Sequence, residues 1–338
     1  MPNFPFRIRA AATLMLAAVL FTPVGFSQEP EEQIEPTDSV TTEKLSGAQW
    51  LLKMSQAIGQ HNYQISLVEQ RPGADTVPYL WRHGVFENGV SMEQLSMLNG
   101  PGKEFIRVNR QVSVFEPNVA PFSLTGRIID GPFPTDLLLN PLDLQSAYTF
   151  IAIGRGRVSG RAAQQIRIVS RDNSRYAYQL WVDEEKGMPL KMNMLDQTGQ
   201  LMKQIQVTQL TTSGEPHEFF SRINHEALPA ITAVPLSYHQ HNWQISYLPV
   251  GMSEVKRNTH RLSVTDQVVE YAMLSDGMVE VSVYVMPISA SGPQNNVYRH
   301  ESKTLLNRTE GNIQISVIGE IPPQTANKIA TSLVSRVE

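Results

Sequence analysis

Four segments between Gln164 and Leu210 alternate apolar and polar residues with period two: QQIRIVS, RYAYQLWV, PLKMNML and QLMKQIQV. They are joined by Arg171 to Ser174, Asp183 to Gly187 and Asp196 to Gly199, stretches of four or five residues rich in turn formers. Period-two alternation sends one row of side chains into a core and the other into water. Joints this short leave no room for a parallel crossover, which needs about a dozen residues. The stretch therefore reads as an antiparallel meander, and whatever surrounds it must cover one face of that sheet.

The flanking sequence has the same texture. YQISLVEQ, YLWRHGVFE, EFIRVNR and QVSVFEP read as strands separated by Pro, Gly and Asn. SMEQLSML, from Ser91 to Leu98, fits helix or strand and is assigned to strand. A helix is expected from Glu43 to Gln60, with Thr42 as N-cap and Leu45, Ala48, Leu52, Ser55 and Ile58 on one face. Gly214, Pro216, Pro229 and Pro235 break up residues 211–236, which are assigned to an interdomain linker. Beyond it NWQISYLP, VVEYAML, VEVSVYV, RHESKTLL and IQISVIG read as strands. A terminal helix starts near Pro322 and Pro323, with Ala326, Ile329, Ala330 and Leu333 on its apolar face. The expected architecture is α+β: a large antiparallel domain over residues 43–210 and a smaller antiparallel sheet with a terminal helix over 237–338.

The first 27 residues read as a secretory signal peptide, with Arg7 and Arg9 before an apolar run from Ala10 to Phe21 and a small-x-small site at Gly25 to Ser27. The run is shorter than the roughly 20 residues that span a bilayer. Cleavage after Ser27 would leave 26 Lys and Arg against 32 Asp and Glu, a net charge near −6 that does not suit nucleic acid. With no cysteine in the chain there is no disulfide, thiol nucleophile or lipidation site, so a freely diffusing periplasmic protein is expected. Residues 28–42 are acidic and Pro-containing and read as a disordered tail.

No catalytic or cofactor motif stands out, and neither an enzyme nor a bound cofactor is expected. Gly154, Gly156 and Gly160 miss the dinucleotide spacing and lead into a strand. His239 and His241 share one side of an extended segment but lack further ligands, so no metal site is assigned. Two features carry more weight. Met92, Met97, Phe115, Phe122, Tyr178, Trp181, Met192 and Met194 form a soft apolar inventory suited to an acyl chain, with ordinary core as the competing reading. Arg155, Arg157, Arg161, Arg167, Arg171 and Arg175 crowd one stretch of an acidic protein; they suit phosphate, or else are turn and surface charges.

Seven segments in order carry a family resemblance: LNGPGKEFIR (98–107), VFEPNVAPFSLTG (114–126), residues 153–183, ALPAITAVP (227–235), YLPVGM (247–252), SDGM (275–278) and GEIPPQTANKIA (319–330). Together they resemble the RseB/MucB family of periplasmic regulators of the sigma-E envelope stress response. The resemblance implies a LolA/LolB-like half-open barrel as a lipid-sensing large domain and a small partner-binding domain. It implies binding to the periplasmic domain of an RseA/MucA-type anti-sigma factor, protection of that factor from a DegS-type protease, and release by lipopolysaccharide or mislocalised lipoprotein. A LolA/LolB-type lipoprotein carrier is the alternative. On this resemblance the acyl chain is placed at Met97, Phe115, Phe122, Leu124, Trp181, Met192 and Met194, and lipid phosphate at Arg155 and Arg157. The anti-sigma factor is placed at Leu228, Tyr247 and Pro249, and self-association is left open.

Overall fold

The structure, a computed structural model, describes residues 44–232, 241–261, 267–288 and 294–335. Its first element, α1, spans Gly47–Gln60. Ser46, not Thr42, is the N-cap: its hydroxyl accepts from the Gln49 amide, and the Gln49 side chain accepts from the Ser46 amide at 2.7 Å. This reciprocal pair satisfies donors that an α-helix leaves orphaned, so the helix begins later than apolar spacing suggests. The inward face also differs from the expected one. Trp50, Leu51, Met54, Ala57 and Ile58 are buried, whereas Leu45 and Leu52 are exposed.

Eleven strands form the large sheet. β1 (Asn62–Gln70), β2 (Val77–Val85), β3 (Ser91–Met97), β4 (Glu104–Val108), β5 (Gln111–Phe115) and β6 (Phe122–Thr125) make one meander. β7 (Tyr148–Val158), β8 (Arg161–Ser170), β9 (Ala177–Asp183), β10 (Pro189–Leu195) and β11 (Leu201–Ser213) make the second, and β1 pairs antiparallel with β11 to fuse them. Both the four-segment meander and the strand assignment of Ser91 to Met97 agree with the sequence. One short helix, α2 (Thr135–Leu139), connects the halves. Both helices contribute to a single core with the inner face of the sheet, where Ile65, Leu67, Ile166, Ile168, Leu180, Leu190 and Ile205 are buried. Residues 211–213 continue β11 against Asn62 to Gln64 rather than beginning a linker.

The second sheet contains β13 (Ser253–Arg261), β14 (Val268–Ser275), β15 (Glu280–Pro287), β16 (Asn296–His300), β17 (Lys303–Glu310) and β18 (Ile313–Gly319). RHESKTLL, expected as one strand, is divided between β16 and β17 by a turn in which Glu301 takes φ of 53°. The final helix α3 runs Pro323–Ala330 from a proline N-cap, and its Ala326, Ile329 and Ala330 are buried in the small domain's core. Leu333 lies beyond that helix, in a short strand, β19 (Leu333–Ser335), which pairs with β12 (Trp243–Ile245). No helix among the described residues is long and apolar enough to cross a membrane.

Candidate functional site

The two sheets meet at a buried polar joint. Its centre is Arg175, carried on the turn between β8 and β9, and Asp276, carried on the turn between β14 and β15. Arg175 Nε stands 3.0 Å from Asp276 Oδ2, and neither side chain is exposed. The Tyr148 hydroxyl donates to the same carboxylate oxygen at 2.9 Å, while the guanidinium lies 5.2 Å from the Tyr148 ring centroid. Arg175 Nη1 donates to Ser174 Oγ and Nη2 to the Val250 carbonyl. The other Asp276 oxygen accepts from the amides of Met278 and Val279 at 2.9 Å each. Both carboxylate oxygens are therefore engaged, which is the condition under which a buried ion pair is tolerated.

Neighbouring contacts extend the joint. The Val250 amide donates to Asp172 Oδ2 at 2.8 Å, Tyr176 donates to the Ile321 carbonyl, and Thr325 donates to the Ser174 carbonyl at 2.6 Å. Burial alone would raise the Asp172 carboxyl, but hydrogen bonds from Ser174 and the Val250 amide outweigh it and hold the group below its ordinary value. Burial, with Tyr178 and Asp276 nearby, keeps Tyr148 protonated and well above the usual phenol range. Gly251 fits here because it takes φ of +78° and because a Cβ would stand 2.5 Å from that of Ala147. The segments YLPVGM, SDGM and GEIPPQTANKIA thus act together, each supplying a surface to the 172–176 turn or to Ala147 and Tyr148.

A cleft of about 620 Å³ opens beside this joint. Asp130, Thr135 and Asp136 line it from the large domain, and Glu280, Lys303 and Glu320 from the small one. Burial raises Glu320, yet Lys203 at 3.2 Å and the Ser302 hydroxyl more than reverse this and keep it ionised below the ordinary glutamate value.

A second cavity, about 410 Å³, lies in the large domain next to a row of buried polar groups. The register places Tyr63, His83, Glu93, Arg107, Val112 and Leu124 in one cross-strand row on β1 to β6. Glu93 accepts from Trp81 Nε1 at 2.7 Å, Arg107 Nε at 2.7 Å and the Ile129 amide at 3.1 Å. Burial nevertheless pushes its carboxyl up, against the pull of Arg107. His83 lies between the His61 carbonyl and Ser91 Oγ, and burial pushes its imidazole down to about 4. Sequence reasoning missed this row. A signal for it exists: Glu93 shares parity with Leu95 and Met97, so an acidic residue stands on the apolar side of β3.

The residues expected to hold a lipid fall into separate places. Leu190, Met192 and Met194 point inward from β10, and both methionines are closed within the core. Trp181 is on the opposite face of β9, half-buried, with Lys191 Nζ 5.2 Å from its ring centroid. Phe122 and Leu124 face the same side as Val114 and Val112 at the β6 edge, half-buried. Met97 and Phe115 border a third, open cleft, with Phe115 on the opposite strand face from Val114. Arg155 is exposed and pairs with Glu184 at 2.9 Å; Arg157 is exposed on β7. The remaining arginines disperse: Arg161 binds Asp183, Arg171 binds the Gln145 carbonyl and Arg175 is buried in the joint.

Leu228 is half-buried in the segment beside β6, where the Pro229 carbonyl accepts from Gln111 and Ser123. Tyr247 and Pro249 lie instead at the joint, Tyr247 under Lys328 and Pro249 buried. His241 stacks on Trp243 with centroids 4.9 Å apart and bonds the Asn258 carbonyl; His239 lies outside the described residues.

Two family descriptions match this chain: the MucB/RseB N-terminal domain over residues 46–232 and the MucB/RseB C-terminal domain over residues 237–334. The sigma-E factor regulatory protein RseB of Salmonella typhimurium is 31% identical over 328 residues, 96% of this chain and 97% of its own. The sigma factor AlgU regulatory protein MucB of Pseudomonas aeruginosa is 27% identical over 301 residues, covering 86% and 92% of the two chains. The crystal structure of MucB in complex with MucA(peri) superposes with a TM-score of 0.68 at 25% identity, covering 86% of this chain and all of that one.

Proposed function

The chain belongs to the MucB/RseB family, and from that premise we propose that it is a non-enzymatic regulator that binds the periplasmic domain of a membrane anti-sigma factor. The observation that carries this reading is that both domains, joined by the buried contacts around Arg175 and Asp276, match a structure of MucB in complex with MucA(peri) over 86% of the chain. The signal-like first 27 residues support a periplasmic location.

We further propose that the bound anti-sigma factor is shielded from a DegS-type protease, and that lipopolysaccharide or mislocalised lipoprotein releases it. Such a switch requires the lipid to favour a state that binds the partner poorly. Partner contacts at Leu228, Tyr247 and Pro249 fit this scheme, because two of the three lie at the joint where a change in domain packing would be felt. Among the proposed acyl contacts, Met97, Phe115, Phe122, Leu124 and Trp181 are reachable at the surface, whereas Met192 and Met194 require the core to open.

A lipoprotein carrier has no need of a second domain. The polar joint makes that domain integral to the large one and favours the regulator. The deciding experiment is a cleavage assay on the periplasmic fragment of the anti-sigma factor with a DegS-type protease. Saturating amounts of this chain should slow cleavage, and lipopolysaccharide should restore it. Cleavage unaffected by the chain would overturn the proposal, and restoration failing while protection holds would overturn only the lipid step.

A further inference from the structure

The large sheet ends on β6 at one side and on β7 at the other, and the chain treats the two edges differently. Its own segment covers β6. Ile231 bridges Ser123, the Thr232 amide donates to the Ser123 carbonyl at 2.8 Å, and the Pro229 carbonyl accepts from Gln111 and Ser123. β7 is eleven residues long and pairs with β8 alone among the described residues. Helix α1 reaches β7 near its start, where a Cβ on Gly47 would stand 2.7 Å from the Phe150 carbonyl. Beyond that point Ile151 to Ile153 and Arg155 to Arg157 are exposed. A long edge strand is a ready template for pairing with another chain, and proteins ordinarily blunt or cover it.

The side chains along this edge have a pattern of their own. Arg155 and Arg157 share parity, so both guanidinium groups stand on one side of β7. Arg157 pairs with no carboxylate among the described residues. Arg155 pairs with Glu184 at 2.9 Å, but its side chain is 77% exposed, so that pair is weak and a second carboxylate can take its place. On the other side of the strand, Gly154 and Gly156 leave open space. A Cβ on Gly154 would meet nothing within 4 Å, and one on Gly156 would meet only Trp181, with Nε1 at 3.7 Å. Neither glycine has a positive φ, so no turn accounts for them. Glycine inside a strand marks a close approach by another chain, and bulky side chains opposite edge glycines pin the register of a paired strand.

We propose that the free edge of β7 over residues 152–157 is a docking strip for an extended acidic segment of another protein, added to the sheet as a further strand. Its carboxylates stand at alternate positions opposite Arg155 and Arg157, and its intervening apolar side chains cover Gly154 and Gly156 beside Trp181. In this mode backbone hydrogen bonds supply affinity and alternate side chains supply specificity. Opposite charges facing each other across a strand pair add to it. The charge balance favours the same occupant, because a chain with 32 acidic against 28 basic residues presents arginines at this edge. A second copy paired here would bring arginines rather than carboxylates to the strip. The inference goes beyond the regulator reading and does not rest on it.

The experiment titrates the purified chain with a capped peptide of about eight residues alternating Glu and Val, enough to span the strip at roughly 3.3 Å per residue. A peptide alternating Lys and Val and inorganic phosphate serve as comparisons, and amide hydrogen exchange locates the contact. The Glu/Val peptide should bind saturably, more weakly as salt is raised, and should slow exchange at amides of residues 152–157. The Lys/Val peptide should bind at least about tenfold more weakly, because like charges would face each other. Arg155→Gln with Arg157→Gln should weaken Glu/Val binding about tenfold without moving the urea midpoint, since both residues are exposed. Gly156→Val, which fills the space beside Trp181, is the second variant and should weaken it at least about threefold. Arg222→Gln, at an exposed arginine paired with Glu218, should leave the affinity unchanged. The proposal is overturned if the Glu/Val peptide does not bind, if the Lys/Val peptide or phosphate binds as tightly, or if the Arg155/Arg157 variant binds like the parent. It is equally overturned if protection falls on another strand, or if amides 152–157 are already protected in the free chain in a concentration-dependent way, which would place a second copy on the edge. No anti-sigma fragment, lipid or protease enters this titration, so its failure is read separately from a failure of the regulator reading.

Discussion

Arg175 and Asp276 lie 101 positions apart in the chain and 3.0 Å apart in the structure, with both side chains fully buried. Removing one partner of such a pair strands a charge in a low-dielectric setting, whereas removing both is far less damaging. Arg175→Met should therefore cost about 3–5 kcal/mol of stability. Arg175→Met with Asp276→Asn, which keeps an acceptor for Met278 and Val279, should cost less than the sum of the single changes. The coupling should be about 1–3 kcal/mol in urea unfolding, read as a double-mutant cycle.

Gly251 probes the same joint from its backbone. Gly251→Ala would place a methyl 2.5 Å from Ala147 Cβ in a left-handed conformation that alanine resists. The conformational strain alone is about 1–3 kcal/mol. The expected signature is faster amide exchange at Val250, whose N–H is held by Asp172, while amides of β9 and β10 keep their protection. Unchanged exchange at Val250 would show that the joint tolerates the methyl.

His83 gives the molecule an acid sensitivity. Its imidazole titrates near 6.5 in an unfolded chain and is pushed down to about 4 by burial in the folded one. Between those values the unfolded state binds the proton and the folded state does not. Stability from this group is thus complete above about pH 6.5, declines as the pH falls through the window and levels off below about 4, for a total of about 3 kcal/mol. Glu93, raised by burial, works in the opposite sense, contributing stability as the pH falls through its folded value. The measurement is the difference in urea midpoint between the parent and His83→Gln from pH 7 to pH 4. The parent should lose more stability than the variant over that range.

Trp181 and Met192 occupy opposite faces of neighbouring strands and should respond differently to truncation. Met192→Ala empties a closed core position and should cost about 2–5 kcal/mol. Trp181→Ala removes a half-exposed ring and its contact with Lys191, for about 1 kcal/mol by thermal or urea unfolding. Similar large losses in both would mean that the outer face of β9 is covered.

The elements legible in the sequence are those set by local rules. The 164–210 meander follows from side-chain parity and from turn residues such as Asp196, whose carboxylate caps the amides of Thr198 and Gln200. Helix α3 follows from Pro322 and Pro323. The start of α1 does not, because apolar spacing extends past a boundary that the Ser46 and Gln49 hydrogen bonds decide. The joint is invisible to any local reading, since Arg175 looks like one turn charge among six arginines until Asp276 is brought to it. The composition of the apolar inventory is equally silent about location: period-two alternation sends Met192 and Met194 into the core and Trp181 out of it, while both fates suit an oily side chain.

Partner binding is the central claim. Its most direct measurement is calorimetric titration of the purified chain with the isolated periplasmic fragment of its cognate anti-sigma factor, without protease or lipid. A saturable complex of fixed stoichiometry is predicted, weakened when Arg175→Met disturbs the joint. A folded chain that gives no binding heat and no co-migrating complex with that fragment would contradict it.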